Sequence, residues 1–65
     1  MNRVHRESAT ITAHAGTEYH LVPCHIWYGI STQHDDTPRW YMTGVEMNTG
    51  VIDIAVADIE GWTDG

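Results

Sequence analysis

The sequence contains no lysine, and its three basic side chains are Arg3, Arg6 and Arg39. Nine acidic residues oppose them, which gives a formal net charge of −6 at pH 7. From Glu7 onward only Arg39 is basic. Such a surface repels phosphate groups, so we expect no direct binding of nucleic acid but a protein partner with a basic surface. The alternative is that the charge only keeps the protein dispersed in water.

Cysteines and long apolar runs are also scarce. Cys24 is the only cysteine, so no internal disulfide can form and a reducing, cytoplasmic location is expected. No run of about 18 apolar residues occurs, so the sequence predicts no transmembrane helix and no membrane partner. The first ten residues lack the apolar segment of a secretory signal. The 65 residues can form one domain with a small core, which an interface could stabilise.

Helical periodicity is missing as well, whereas the alternation typical of β-strands recurs along the chain. The predicted strands cover residues 8–15, 17–22, 24–30, 39–47 and 51–59. Pro23 is expected to separate the second strand from the third, because proline cannot donate to a ladder. Short strands and tight turns predict an all-β fold, a five-stranded antiparallel meander that curls into a small barrel. The expected domain covers residues 8–60, between an N-terminal arm at 1–7 and a C-terminal tail at 61–65.

The register of the last hairpin decides which face each side chain occupies. Pairing Met47 with Ile52 predicts that the inward side chains of the fourth strand are Tyr41, Thr43, Val45 and Met47. Trp40 and Met42 then lie outside. The third strand places on one face Cys24, Ile26, Tyr28 and Ile30. Trp27 lies on the opposite face, so Trp27 and Trp40 are predicted to form an exposed aromatic pair.

Acidic residues gather in the loop before the fourth strand and in the last third of the chain. Glu46 and Asp53 are expected to face each other across the hairpin, where they would repel. Like charges held together favour a functional role. The predicted partner-binding residues are Trp27, Asp35, Asp36, Arg39, Trp40, Glu46 and Asp53. The alternatives are an ordinary solvated acidic face and aromatic side chains that only fill the core.

No pattern predicts catalysis, a metal site or a cofactor. His20 and Cys24 lack the close ligand pairs of structural zinc sites. Residues 34–36, His-Asp-Asp, offer a divalent cation weak binding in a loop, and the alternative is that they are simply solvated. Cys24 and His25 diverge as strand neighbours, so they do not form a nucleophile and base. We therefore expect no enzyme activity.

Spaced single residues over most of the chain resemble the WYL domain family, in a shortened form carried by small phage- and plasmid-associated proteins. They are Gly16, Tyr19, Pro23, the IWYG segment at 26–29, His34, the WYM segment at 40–42, the ADI segment at 57–59 and Trp62. The resemblance covers about residues 16–62 and implies an SH3-like or Sm-like barrel with a regulatory, ligand- or nucleic-acid-sensing role. WYL-like domains tend to place an arginine in the last strand, where it would meet an anionic ligand. Ile52 stands at the matching position here, beside Asp53.

Two functions follow from these features. The first is a non-enzymatic acidic protein-binding module, like a phage-type inhibitor that blocks a nucleic-acid-handling host defence complex (anti-CRISPR-like). The absence of lysine and the replaced arginine favour it. The alternative is a WYL-like regulatory module or sponge that binds a small, nucleotide-like ligand. We also expect a homodimer, because a small core with exposed strand edges gains stability by pairing.

Overall fold

The computed structural model describes residues 7–64, which form five β-strands, two 3₁₀ turns and no α-helix. The strands are β1 Ala9–Ala13, β2 Glu18–Gly29, β3 Arg39–Glu46, β4 Gly50–Ala55 and β5 Ile59–Asp64. The 3₁₀ turns are His14–Gly16 and Val56–Asp58. All strands join one antiparallel sheet in the order β4-β3-β2-β1-β5, so the all-β, five-stranded antiparallel prediction is confirmed. None of these elements is a helix with the length and apolar character needed to cross a bilayer.

The predicted strand limits need correction at two places. β2 runs through Pro23 and unites the predicted second and third strands, with a register shift between Pro23 and His25. Proline is tolerated there because, in the described chain, β1 pairs with β2 only up to Leu21. The predicted fifth strand ends at Ala55, and residues 61–64, predicted as a tail, belong to the additional strand β5.

The two edge strands are consecutive in the chain, which forces the sheet to curl. β4 ends at Ala55 and β5 begins at Ile59, so their connection spans at most about 14 Å. A flat sheet of five strands would separate its edges by about 19 Å. The sheet therefore curls toward itself, but within residues 7–64 no ladder joins β4 to β5 and the sheet stays open.

The main core lies on the inner face of the curled sheet, and every strand contributes to it. Its buried members are Ala9, Ile11, Leu21, Met42 and Ile54, and the partly buried side chains packed against them are Tyr19, Ile52 and Ile59. Burying one large aliphatic side chain contributes about 1.5–3 kcal/mol. This small cluster is therefore the main source of folding free energy.

The hairpin between β3 and β4 has a register that contradicts the prediction. Gly44, not Met47, lies opposite Ile52, and Met47 falls in the turn with 93% of its surface exposed. Met42, predicted outside, is 1% exposed within the core. Val45, predicted inside, is exposed.

Gly44 gives the physical reason for this register. A Cβ atom at Gly44 would lie 2.8 Å from Leu21 Cδ1 and 2.9 Å from the carbonyl oxygen of Val22. The missing side chain thus leaves room for Leu21 to enter the core across the β2–β3 pair. Gly44 thus allows close packing on the inner face, because the Leu21 side chain fills the space that a larger residue would occupy.

Candidate protein-binding site

The distal half of β2 extends past the core. β2 has 12 residues, whereas β1 has 5, and among residues 7–64 the β1–β2 ladder reaches only from Glu18 to Leu21 of β2. Inner-face side chains beyond this point therefore have little to pack against. Together with the residue after β2 and the start of the second 3₁₀ turn, they form a patch that we call the aromatic face: Ile26, Tyr28, Ile30, Trp40 and Val56. Their exposed fractions are 57%, 59%, 53%, 54% and 37% in that order.

Tyr28 and Trp40 form the centre of the aromatic face. They lie opposite each other on β2 and β3, with ring centroids 5.4 Å apart and ring planes at 62°, an edge-to-face arrangement. An open groove of about 460 Å³ lies beside them, lined by Tyr28, Pro38, Arg39, Trp40, Val56 and Ala57. Among residues 7–64 the indole N–H groups of Trp27 and Trp62 donate within the chain, whereas that of Trp40 has no acceptor. Trp40 can therefore donate a hydrogen bond to a bound molecule.

An ion pair joins Arg39, one of the groove residues, to Asp35 in the segment between β2 and β3. Arg39 Nη1 donates to Asp35 Oδ1 at 2.8 Å and to the hydroxyl of Tyr41 at 3.2 Å. The hydrogen bonds from Arg39 and from the Thr37 N–H lower the pKa of Asp35 below its ordinary value. The bonds to Asp35 and Tyr41 raise the pKa of Arg39 in turn. The guanidinium is thus engaged within the protein, while Asp36 is exposed in the same loop.

A second, smaller core lies on the outer face, under loop 30–38, the segment between β2 and β3. Tyr41 is fully buried there, with its ring centroid 5.2 Å from that of Trp27 and 5.0 Å from that of His34. The prediction of an exposed Trp27–Trp40 pair is therefore wrong. Trp27 is half-buried on the opposite face, and the aromatic partner of Trp40 is Tyr28.

Asp53 is held by hydroxyl groups on the outer face. Ser31 Oγ donates to Asp53 Oδ2 at 2.6 Å, and Thr43 Oγ1 donates to Asp53 Oδ1 at 2.7 Å. The Thr43 oxygen also accepts the indole N–H of Trp27 at 2.6 Å. Thr43, not Glu46, lies opposite Asp53 in the ladder, so the predicted repulsion between Glu46 and Asp53 does not occur.

Loop 30–38 also covers the free edge of β4. Gln33 Nε2 donates to the Val51 carbonyl at 3.0 Å, and Gln33 Oε1 accepts the Asp53 N–H at 2.9 Å. His34 Nε2 donates to the Asp53 carbonyl at 2.8 Å. These bonds occupy backbone groups that an edge strand otherwise offers to another chain. The backbone groups of Val51 and Asp53 are therefore already bonded within the protein, whereas the side chains of the aromatic face remain exposed.

The predicted partner-binding residues divide among three places. Arg39 and Trp40 line the groove, and Asp35 and Asp36 lie in loop 30–38, where Asp35 pairs with Arg39. The outer face holds Trp27 and Asp53. Glu46 lies at the hairpin turn and accepts a hydrogen bond from the Thr49 hydroxyl.

Sequence reasoning missed most of the aromatic face. Ile26, Tyr28 and Ile30 alternate as a core-facing strand does, and they were predicted to share a face without being placed in a site. Strand length could have indicated this site. The alternating segment that forms β1 is too short to pair with the whole of β2. The unmatched half of β2 was the place to expect exposed apolar side chains.

Within residues 7–64, no three His, Cys, Asp or Glu side chains lie close enough together to hold a metal ion. No family model, curated protein or solved structure matches the chain. The chemistry of the site therefore follows from its geometry and charge alone. An open aromatic surface with an indole N–H donor that is unused among residues 7–64 is suited to binding another molecule.

Proposed function

We propose that the chain is a non-enzymatic, acidic protein-binding module that contacts its partner through the aromatic face. The observation that carries this proposal is the group of large apolar side chains, each at least 37% exposed, around the Tyr28–Trp40 pair. Exposed apolar patches on small proteins mark interaction sites. Tyrosine and tryptophan are enriched among the hot-spot residues of protein interfaces.

The charge around this face favours a partner with a basic surface. Of the nine acidic residues, all but Glu46 and Asp53 are exposed. Asp36 and Asp58 are near neighbours in sequence of the groove residues Pro38 and Ala57. Proteins that handle nucleic acids present basic surfaces to phosphates, and an acidic module can compete for such a surface. We propose that it does so as a phage-type inhibitor of a host defence complex (anti-CRISPR-like).

The fold proposed for this module is an opened SH3-like or Sm-like barrel of the WYL-like type. The curl of the sheet and the short 3₁₀ turn that links its two edge strands support it. A nucleotide-like ligand is the second candidate, because Tyr28 and Trp40 offer a stacking surface beside Arg39. Arg39 is the only lysine or arginine among residues 7–64, and Asp35 already neutralises it. A protein partner is therefore the better match.

The replacement Trp40→Ala tests the proposal, with Met47→Ala as the matched control. Met47 is 93% exposed at the hairpin turn, outside the aromatic face. Tagged wild type and both variants are used to capture proteins from host lysate at low and high salt. The affinity of each variant for the captured complex is then measured with purified components. We expect wild type and Met47→Ala to bind one nucleic-acid-handling complex, more weakly at high salt. Trp40→Ala should lose at least about tenfold in affinity.

Three results would contradict this assignment. If Trp40→Ala binds the complex with the same affinity as wild type, the aromatic face is not the binding surface. Loss of the native circular dichroism spectrum in Trp40→Ala would identify Trp40 as a core residue. Capture of no complex, combined with nucleotide-dependent quenching of tryptophan fluorescence that Trp40→Ala abolishes, would establish the small-ligand function instead.

A further inference from the structure

The described sheet has three free strand edges, which differ in their availability. Gln33 and His34 occupy the edge of β4. The edge strand β5 carries Glu60 and Asp64, whose charges oppose pairing with another acidic chain. The third edge is the outer side of β2 beyond Leu21, which pairs with no strand in the part of the chain that the structure describes. Among residues 7–64, this third edge is therefore the one open to association.

The ladder pattern shows which backbone groups this edge presents. The N–H and carbonyl of Asp53 bond outward to loop 30–38, so Asp53 and Thr43 form a non-hydrogen-bonded pair of the β3–β4 ladder. The backbone groups of Thr43 and, two residues earlier, Tyr41 therefore point toward β2. Their β2 partners are His25 and Trp27.

Since bonding direction alternates along a strand, the residues between these bonded positions point the other way. The N–H and carbonyl groups of Ile26 and Tyr28 thus face the free edge. Ile26 and Tyr28, whose outward backbone groups pair with no described strand, also contribute their side chains to the aromatic face.

We propose that two copies of the chain associate by antiparallel pairing of their β2 strands, centred on Trp27. In this register Ile26 lies opposite Tyr28 of the second copy, and Tyr28 lies opposite Ile26. Each of the two pairs exchanges two N–H···O bonds, which is the full set that Ile26 and Tyr28 can make. The Ile26 and Tyr28 side chains become cross-strand neighbours, an aromatic and β-branched pair of the kind that stabilises sheets.

Charge favours a second copy of the chain over a charged partner as the occupant of this edge. Two chains with a formal charge of −6 repel, so they can approach only along an uncharged strip. Residues 19–34 contain no Asp, Glu, Lys or Arg, which makes them the longest such stretch in the sequence. The proposed edge lies within it. Association should therefore strengthen with added salt, opposite to the salt response expected for the basic partner.

Sedimentation velocity over a concentration series tests the proposal on the full chain. For wild type we expect the mass to rise with concentration from 7.3 kDa toward twice that value. Ile26→Pro removes an outward N–H without removing a bond to β3, and it should remain a monomer. Ile26→Ala is the matched control, since it loses the same side chain but keeps the N–H, and it should still dimerise.

Hydrogen exchange on wild type locates the interface independently of any variant. The amides of Ile26 and Tyr28 should gain protection as concentration rises, whereas those of β5 should not change. A wild type that stays monomeric at all concentrations would overturn the proposal. Equal dimerisation of folded Ile26→Pro and Ile26→Ala, or concentration-dependent protection confined to β5, would do the same.

Discussion

Replacing Thr43 by valine should destabilise the protein strongly, although the two side chains have nearly the same shape. Thr43 Oγ1 accepts the Trp27 indole N–H at 2.6 Å and donates to Asp53 Oδ1 at 2.7 Å. Loss of the neutral bond costs about 1 kcal/mol, and loss of the bond to the carboxylate costs about 1.5–3 kcal/mol. Because Trp27 and Asp53 are only half-buried, water replaces part of both bonds. We therefore expect a total loss of about 1.5–3 kcal/mol.

That loss is large for this chain. A 65-residue domain has a total stability of roughly 3–10 kcal/mol. The expected loss corresponds to a fall in melting temperature of at least about 6 °C. Urea and thermal unfolding followed by circular dichroism measure both values, with Thr63→Val, an exposed threonine of β5, as the control. A Thr43→Val variant within about 0.5 kcal/mol of wild type would refute the role of this network in stability.

Three further perturbations test other parts of the structure. Gly44→Ala should lower the free energy of unfolding in urea by about 1–3 kcal/mol, because its Cβ would lie 2.8 Å from Leu21 Cδ1. Gly61→Ala is the control and should be nearly neutral, because its Cβ would have no contact closer than 3.5 Å. Gln33→Ala should speed hydrogen exchange of the Asp53 amide, because its N–H then loses the Gln33 Oε1 acceptor. Unchanged exchange would show that Gln33 does not cover the edge of β4. The folded pKa of Asp35 lies below its unfolded value of 3.8, so its stabilising contribution is complete above that pH and is lost as the pH falls through the folded pKa. An NMR titration should show a higher Asp35 pKa in Arg39→Ala than in wild type, because the contact that lowers it most is lost. Equal pKa values in the two proteins would contradict the ion pair.

The strand content of the fold was predictable because alternation is a local property. Segments such as ATITA and GVIDIA carry it in their own sequence. The continuation of β2 through Pro23 was not predictable in the same way. The effect of a proline depends on whether a neighbouring strand needs its N–H, and the end of the β1–β2 ladder at Leu21 is a property of the whole sheet.

The faces of the last hairpin could not be predicted from residue size. Val45 and Met47 are better core residues than Gly44 when each strand is considered alone. Packing between strands reverses this preference, because Leu21 fills the space above Gly44. The register therefore depends on a contact between residues more than 20 positions apart in sequence.

The candidate site was partly predictable for a related reason. Trp40 was placed outside the core, and it is exposed, although on the inner face rather than the outer one. Tyr41 was expected to pack, and it does, but in the second core under loop 30–38. Both outcomes show that this sheet buries apolar groups on two sides, so burial did not reveal which side a residue occupies.

The most direct test of the central proposal is to map the contact surface of the partner on the protein by NMR. The ¹⁵N-labelled chain is titrated with the purified complex that wild type and Met47→Ala capture. We expect signal loss or shift changes concentrated at Tyr28, Trp40 and Val56, and none of these changes for Trp40→Ala at the same concentrations. Changes confined to the hairpin turn around Met47 and the outer-face residues Val45 and Val51 would contradict binding through the aromatic face.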